Sequence, residues 1–215
     1  MLDSELRHHV IEELAFEPQV DDANIGVAAE NGIVTLTGHV GSYAEKIAAE
    51  RAVRRVKGVL GIAQEIEVRF PDSKKLADDE IAARAVAIIS WDSSIPKGQV
   101  QVKVQHGWVM LTGSTAWFYQ KTAAERAVRK LSGVVGVTNH IEVTPQVRVT
   151  DVRQRIDAAL KRNAEIDSAC IRLNVENGKV VIEGGVGSWH ERDVAVSAAR
   201  SVPGVTEVED HLAIR

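Results

Sequence analysis

Seven histidines are the first residues to test for chemistry: His8, His9, His39, His106, His140, His190 and His211. A metal centre needs imidazoles, thiolates or carboxylates converging on one ion. No His-Glu-x-x-His pair is present, and His8-His9 stands beside a helical stripe and faces water. Cys170 is the single cysteine, so no internal disulfide and no paired thiolate is available. It reads as a small filler one residue before a strand. Asp21-Asp22 and Asp78-Asp79 have the chemistry for proton transfer, but a loop and a helix start suit solvated carboxylates. No phosphate loop of the G-x-x-x-x-G-K-[ST] kind and no G-x-S-x-G turn occurs. The sequence therefore names no catalytic residue, no metal ligand and no cofactor, and it reads as a non-enzyme. Its remaining chemistry is interfacial: Trp91, Trp108, Trp117, Phe118 and Tyr119 fall within 71–145 with Lys97, Lys103, Lys121, Arg126, Arg129 and Lys130. Indole and phenol rings suit a boundary with an apolar and a wet side, and cations attract anionic head groups.

The elements that must position these residues come as an internal repeat, which has to be recognised before anything else. Asn31-Gly32-Ile33-Val34-Thr35-Leu36-Thr37-Gly38 recurs as His106-Gly107-Trp108-Val109-Met110-Leu111-Thr112-Gly113. It recurs again as Asn177-Gly178-Lys179-Val180-Val181-Ile182-Glu183-Gly184. The offsets are 75 and 71 residues, held from the first helix to the last strand. Three domains follow, 1–70, 77–145 and 149–215. Each is too small to bury a large core alone, so the units are expected to lean on one another.

Each unit opens with a helix whose apolar residues recur at i+4: Leu6, Val10, Leu14; Ile81, Ala85, Ile89; Val152, Ile156, Leu160. Asp3, Asp78 or Asp79, and Asp151 are placed to cap these helices. Val20, Ile95 and Ile166 anchor the loop that follows. Two alternating strands flank Asn31-Gly32, His106-Gly107 or Asn177-Gly178, the signature of a type I′ hairpin with positive φ at both turn residues. Gly38, Gly113 and Gly184 permit a sharp exit or a close backbone approach. Ser42-x-x-Glu45 and Ser188-x-x-Glu191 form capping boxes before a second, alanine-rich helix, and Trp117 stands where the middle cap should be. That helix carries Ala48, Ala49, Ala52 and Val53 and their equivalents. Gly58, Gly133 and Gly204 are expected as its left-handed C-terminal cap. The last strands hold Ile62, Ile66, Val68; Val137, Ile141, Val143; and Val208, Leu212, Ile214.

The fold class is α+β: three tandem αββαβ units, each a three-stranded mixed sheet with two helices on one face. The third strand runs parallel to the second through a right-handed crossover, with strand order 1-2-3. The other sheet face is either polar or covered by a neighbour. The linkers 71–75 and 145–149 are short enough to keep the units adjacent.

Composition excludes several classes. The net charge is −4, distributed as −5 over 1–70, +2 over 71–145 and −1 over 146–215. Basic residues alternate with acids, including Arg51, Arg54, Arg55 and Lys57 beside Glu45 and Glu50, so nucleic acid is not a partner. No run approaches the length of a membrane span, and the acidic start leads straight into an amphipathic helix. The chain as written reads as cytoplasmic, or periplasmic if a leader has been removed.

The pattern G-x-V-x-L-x-G, the alanine-rich helix and the following Gly58-Val59, Gly133-Val134 or Gly204-Val205 resemble the BON (bacterial OsmY and nodulation) domain family. Three tandem copies cover nearly the whole chain. The resemblance implies a non-catalytic binding module of the phospholipid surface or cell envelope, active in osmotic or envelope stress. Many members are periplasmic or outer-membrane lipoproteins. A cytoplasmic relative in the broader family implies one alternative, a potassium-ion or small-ligand sensor; a sheet face without a helix of its own leaves a second, a protein–protein scaffold working through exposed sheet faces. Gly32, Gly38, Gly58, Gly107, Gly113, Gly133, Gly178, Gly184 and Gly204 are structural motif positions that carry fold rather than a site.

The informative asymmetry between copies is aromatic, with five of the nine rings in the middle one. Phe118 aligns with Tyr43 and Trp189 and reads as a packing residue. Trp117 replaces Ser42 and Ser188, Tyr119 aligns with Ala44 and His190, Trp91 with Phe16 and Arg162, and Trp108 with Ile33 and Lys179. An aromatic in place of a polar cap costs about 1 kcal/mol locally. Either Trp117 and its neighbours form an exposed contact for membrane or ligand, with Lys121, Arg126, Arg129 and Lys130 adding charge, or Trp117 packs on a neighbouring unit or a second chain. The expected partners are a phospholipid surface bound peripherally, a second copy of the chain, or another protein.

Overall fold

The computed structural model describes residues 2–70, 76–144, 152–162, 171–176 and 178–214. The readings placed on Asp151, Ile166, Cys170, Asn177 and the two linkers lie outside the described residues. The first repeat is α1 (Asp3–Phe16), a 3₁₀ turn (Asp22–Asn24), β1 (Ile25–Glu30), β2 (Ile33–Val40), α2 (Tyr43–Arg55) and β3 (Gly61–Val68). The middle repeat is α3 (Asp78–Trp91), β4 (Val100–Gln105), β5 (Trp108–Thr115), α4 (Phe118–Val128), β6 (Gly136–Asn139) and β7 (Glu142–Val143). The third is α5 (Val152–Arg162), β8 (Ile171–Glu176), β9 (Lys179–Val186), α6 (Trp189–Arg200) and β10 (Glu207–Ile214).

The sheets run β1-β2-β3, β4-β5-β6 and β8-β9-β10. In the outer repeats the hairpin is antiparallel and the last strand returns parallel to the second. The sheets are therefore mixed, with the expected strand order. Contacts divide the chain into two compact units. One comprises Met1–Arg84, Val104–Val109 and Arg129–Val137; the other comprises Ala85–Lys103, Met110–Val128 and Thr138–Arg215.

The cores follow the periodicity. Leu6, Val10 and Leu14 of α1, Ile81, Ala85 and Ile89 of α3, and Val152, Ile156 and Leu160 of α5 are buried. Val34 and Leu36, Val109 and Leu111, and Val180 and Ile182 of the sheets are buried too, and in the third repeat Val180 and Ile182 form one core with Val152, Ile156 and Leu160. Each large aliphatic side chain removed from water contributes about 2 kcal/mol before entropy is counted. Ala48, Ala49, Ala52 and Val53 line the buried face of α2, as the small-residue stripe requires. On the edge strands the other sheet face is open: Gly26, Ala28 and Glu30, Gln101, Lys103 and Gln105, and Arg172, Asn174 and Glu176 are exposed.

The hairpin turns have positive φ at both positions, 53° and 77° at Asn31-Gly32 and 50° and 74° at His106-Gly107. What holds them differs from expectation. Asp3 does not cap its helix; its carboxylate accepts the N–H groups of Asn31 at 2.9 Å and Gly32 at 3.2 Å. Asp78 accepts those of His106 at 2.7 Å and Gly107 at 2.8 Å. A turn N–H with no ladder partner needs an acceptor, and the first helix presents one.

The glycines after the second helices are also reassigned. Helix α2 ends at Arg55, and the cap residue Val56 is already extended, so Gly58 lies beyond the cap. Gly58, Gly133 and Gly204 instead shape the turn into the last strand, with φ of 92°, 87° and 92°. A Cβ added at Gly107 would meet the Gly133 carbonyl at 2.6 Å, and one at Gly178 the Gly204 carbonyl at 2.7 Å. The hairpin and the helix-end turn abut, which explains glycine on both sides. The following N–H completes the junction: Leu60, Val135 and Thr206 donate to the carbonyls of Gly32, Gly107 and Gly178 at 2.8, 3.0 and 2.8 Å.

The last strand of the middle repeat is split into β6 and β7 rather than continuous. Asn139 donates to the Lys121 carbonyl at 2.9 Å and to Glu125 Oε2 at 3.2 Å, and its own Oδ1 accepts the Ile141 N–H at 3.2 Å. The chain at 139–141 is thereby tied to α4 and to itself.

Candidate functional site

The start of α4 is built differently from its sisters. Ser42 Oγ accepts the Glu45 N–H at 3.2 Å, and Ser188 Oγ accepts the Glu191 N–H at 3.1 Å. Glu45 returns a bond to the Gly41 N–H at 3.0 Å, one residue before the expected cap position. Trp117 has no hydroxyl to offer. Gln120 replaces the glutamate, and its Oε1 accepts the N–H groups of Ala116 at 3.1 Å and Trp117 at 3.2 Å. The buried Thr115 hydroxyl donates to the Trp117 carbonyl at 3.3 Å. Half a capping box is kept, and the chain from 115 to 120 is pinned on both sides of the indole.

Successive residues here turn to different surroundings. Trp117 is 39% exposed and Tyr119 58%, with ring centroids 6.5 Å apart. Phe118 between them packs against the core of the third repeat, which contains Val196, Ala199 and Val202. The Arg200 guanidinium carbon lies 5.6 Å from the Phe118 ring centre, within cation–π range. Lys121, one turn along α4, is half-buried. Burial first, and then the charge of Arg200, hold its ammonium below the ordinary lysine value, against Glu125 and Glu142 acting the other way.

The remaining residues singled out in the sequence are distributed more widely. Trp91 ends α3 and is 88% exposed. Trp108 is half-exposed, and its ring lies across Gly136, where an added Cβ would come within 2.5 Å of it. The equivalent pair is Ile33 beside Gly61 in the first repeat. In the third, Lys179 takes the position and pairs with Glu209. Arg126 is exposed on α4, whereas Arg129 and Lys130 lie past its end, so they are not helix cations. Trp91, Trp117, Tyr119, Lys121 and Arg126 belong to one compact unit, and Trp108, Arg129 and Lys130 to the other. The contact actually shown by the geometry is that of Trp117 with Tyr119. The nine motif glycines all have positive φ.

Sequence reasoning missed Gln120, Val196 and Arg200. Val196 carried a signal, because it stands where Glu50 and Glu125 stand and so departs from the charged face of its sisters. Phe16, the counterpart of Trp91, is 79% exposed beside His9, Glu12, Glu13, Val56 and Lys57. Among the described residues, no three histidine, cysteine or carboxylate side chains group as a metal site, and no helix is long and apolar enough to cross a membrane.

The fold defines a class: a tandem repeat of αββαβ modules. The profile of the BON domain matches residues 2–69, 77–145 and 148–215, and the chain belongs to the BON domain family. It is similar to osmotically-inducible protein Y of Escherichia coli K12, 26% identical over 148 residues covering 66% of this chain and 73% of that protein. Two solved structures of CdsD, a structural protein of the type III secretion system of Chlamydia trachomatis, also align. One is 14% identical, covering 98% of this chain and 92% of that one, with a TM-score of 0.27. The other, a C-terminal domain, is 13% identical, covering 100% of both chains, with a TM-score of 0.26. Superpositions at that level carry no overall arrangement across.

Proposed function

We propose that this chain is a non-catalytic binding protein that associates reversibly with phospholipid surfaces through its middle repeat. The observation that carries the reading is the exposed Trp117–Tyr119 pair, placed at a helix start where both sister repeats have small or polar residues. An indole and a phenol side by side suit the boundary between head groups and acyl chains, where ring and polar tip are both satisfied. Trp91 and Arg126 add an apolar and a cationic contact from the same compact unit. The similarity to an osmotically inducible protein supports a role under osmotic stress.

Co-sedimentation with vesicles of phosphatidylglycerol and phosphatidylcholine tests this. Trp117→Ser with Tyr119→Ser should lower partitioning roughly tenfold, the scale of removing two interfacial rings. Equal pelleting of wild type and variant removes the site, and no pelleting of either removes the membrane reading.

A second reading is favoured by one observation. Phe16 and Trp91 stand at equivalent positions of two repeats and are both largely exposed. A protein partner or a second copy that covers them would act through a scaffold. Light scattering across a hundredfold concentration range tests self-association, and a constant monomer mass excludes the second copy.

A further inference from the structure

We propose that Lys121 and Arg200 form a phosphate-binding pair where the start of α4 meets α6. The internal repeat provides the comparison. Arg200 occupies the position of Arg54, whose Nη2 donates to Glu50 Oε1 at 2.6 Å. The residue equivalent to Glu50 in the third repeat is Val196, so the carboxylate one turn before the arginine is gone. Lys121 occupies the position of Arg192, whose Nε donates to Asp210 Oδ2 at 2.7 Å. The residue equivalent to Asp210 in the middle repeat is the neutral Asn139, whose amide is engaged by the Lys121 carbonyl and by Glu125. In the first repeat the same position is Lys46, which donates to the Ile66 carbonyl at 2.7 Å.

Two cations whose sisters have partners inside their own repeats are thus brought together by one contact, Phe118 on the third core with Arg200 over its ring. Among the described residues neither makes a salt bridge. Glu125 and Glu142 act on Lys121, yet burial and Arg200 outweigh them. Val196 is buried in the third core against which Phe118 packs, and it stands where Glu50 supplies a carboxylate, so the replacement removes a counter-ion from the arginine. A tetrahedral oxyanion relieves both effects: the guanidinium presents a fork to two oxygens and the ammonium a point charge to a third. The chemistry recognised is a phosphate group, whether on a lipid head group or free. The lipid source rests on the membrane reading above; the pair itself does not.

The test has two arms with the full chain. In the first, inorganic phosphate is titrated at constant ionic strength against chloride, and fluorescence is followed, with Trp117 only four residues from Lys121. Wild type should respond saturably; Lys121→Gln and Arg200→Gln should bind at least fivefold more weakly, Arg200→Lys should recover part, and Lys57→Gln should match wild type. Circular dichroism confirms folding, and the two neutral variants stand in for each other if one is unstable. In the second, the same variants meet vesicles of phosphatidylglycerol in phosphatidylcholine and of phosphatidylcholine alone. Selective loss on the anionic vesicles supports the lipid source. Saturable phosphate binding without vesicle binding keeps the pair and sinks the membrane reading. Vesicle binding that Trp117→Ser lowers and the charge variants leave unchanged, with no phosphate response, overturns the pair and leaves the membrane reading. Equal loss in Lys57→Gln overturns it too, since general charge screening then accounts for the effect.

Discussion

The Arg200 guanidinium carbon sits 5.6 Å from the centre of the Phe118 ring, and the two residues come from different repeats. Phe118 packs on the core of the third repeat, so the start of α4 is a fixed joint between the middle and third modules. Phe118→Ala should destabilise the protein by about 1–3 kcal/mol, below the roughly 3–5 kcal/mol of a fully buried aromatic because this ring is only partly buried. Urea unfolding followed by far-ultraviolet circular dichroism measures this. An unchanged midpoint would mean that the joint contributes nothing.

Trp117 exchanges stability for a surface ring. Trp117→Ser restores the hydroxyl cap that Ser42 and Ser188 provide, and it should raise stability by about 1 kcal/mol. Gln120→Ala leaves the N–H groups of Ala116 and Trp117 without their acceptor and should cost about as much. Thermal melts of the two variants should shift in opposite directions.

Asp78 makes the fold sensitive to acid. The Gly107 N–H, and next the His106 N–H, bond its carboxylate and hold its pKa below the ordinary aspartate value. A depressed carboxylate pKa contributes stability above the unfolded value, and that contribution is lost as pH falls through the folded one. Asp78→Asn should therefore be less stable than wild type near neutrality, and the gap should narrow as pH drops below about 4, where the unfolded carboxyl protonates. Denaturation midpoints of both proteins from pH 7 to pH 3 provide the check, and a gap that widens towards acid contradicts the sign.

Two glycines separate backbone conformation from space. Gly113 has φ of 121°, and a Cβ there would overlap the Gln99 carbonyl oxygen. Gly98 has φ of 74° with nothing within 4 Å. Gly98→Ala should cost about 1–2 kcal/mol, the left-handed penalty alone. Gly113→Ala should cost clearly more, because the strand pair must also separate. Equal losses would show that the close approach is easily relieved.

Much of the module is legible along the chain because its determinants are local. Leu6, Val10 and Leu14 are one helical turn apart, and Asn31-Gly32 defines its own turn. The two aligned serines mark the Trp117 position as a cap, but they leave open whether its ring is exposed or packs on a neighbour. Asp3 is not legible in the same way: a carboxylate at a helix start satisfies the local capping rule, while its partners are 28 and 29 residues away. Gly58 misled likewise, because a glycine after a helix fits both a cap and the turn that meets Gly32.

By itself the amino-acid order determined three αββαβ copies, their mixed sheets and the aromatic bias of the middle one, since hydrophobic period and repeat register need no neighbour to be read. Only the tertiary structure decided that Phe118 leaves its own module for the third, that Gln120 takes over the cap, and that Lys121 and Arg200 are drawn together without their sisters' carboxylates. Those outcomes depend on which surfaces meet, and side chains far apart in sequence acquire that relation only when the cores pack.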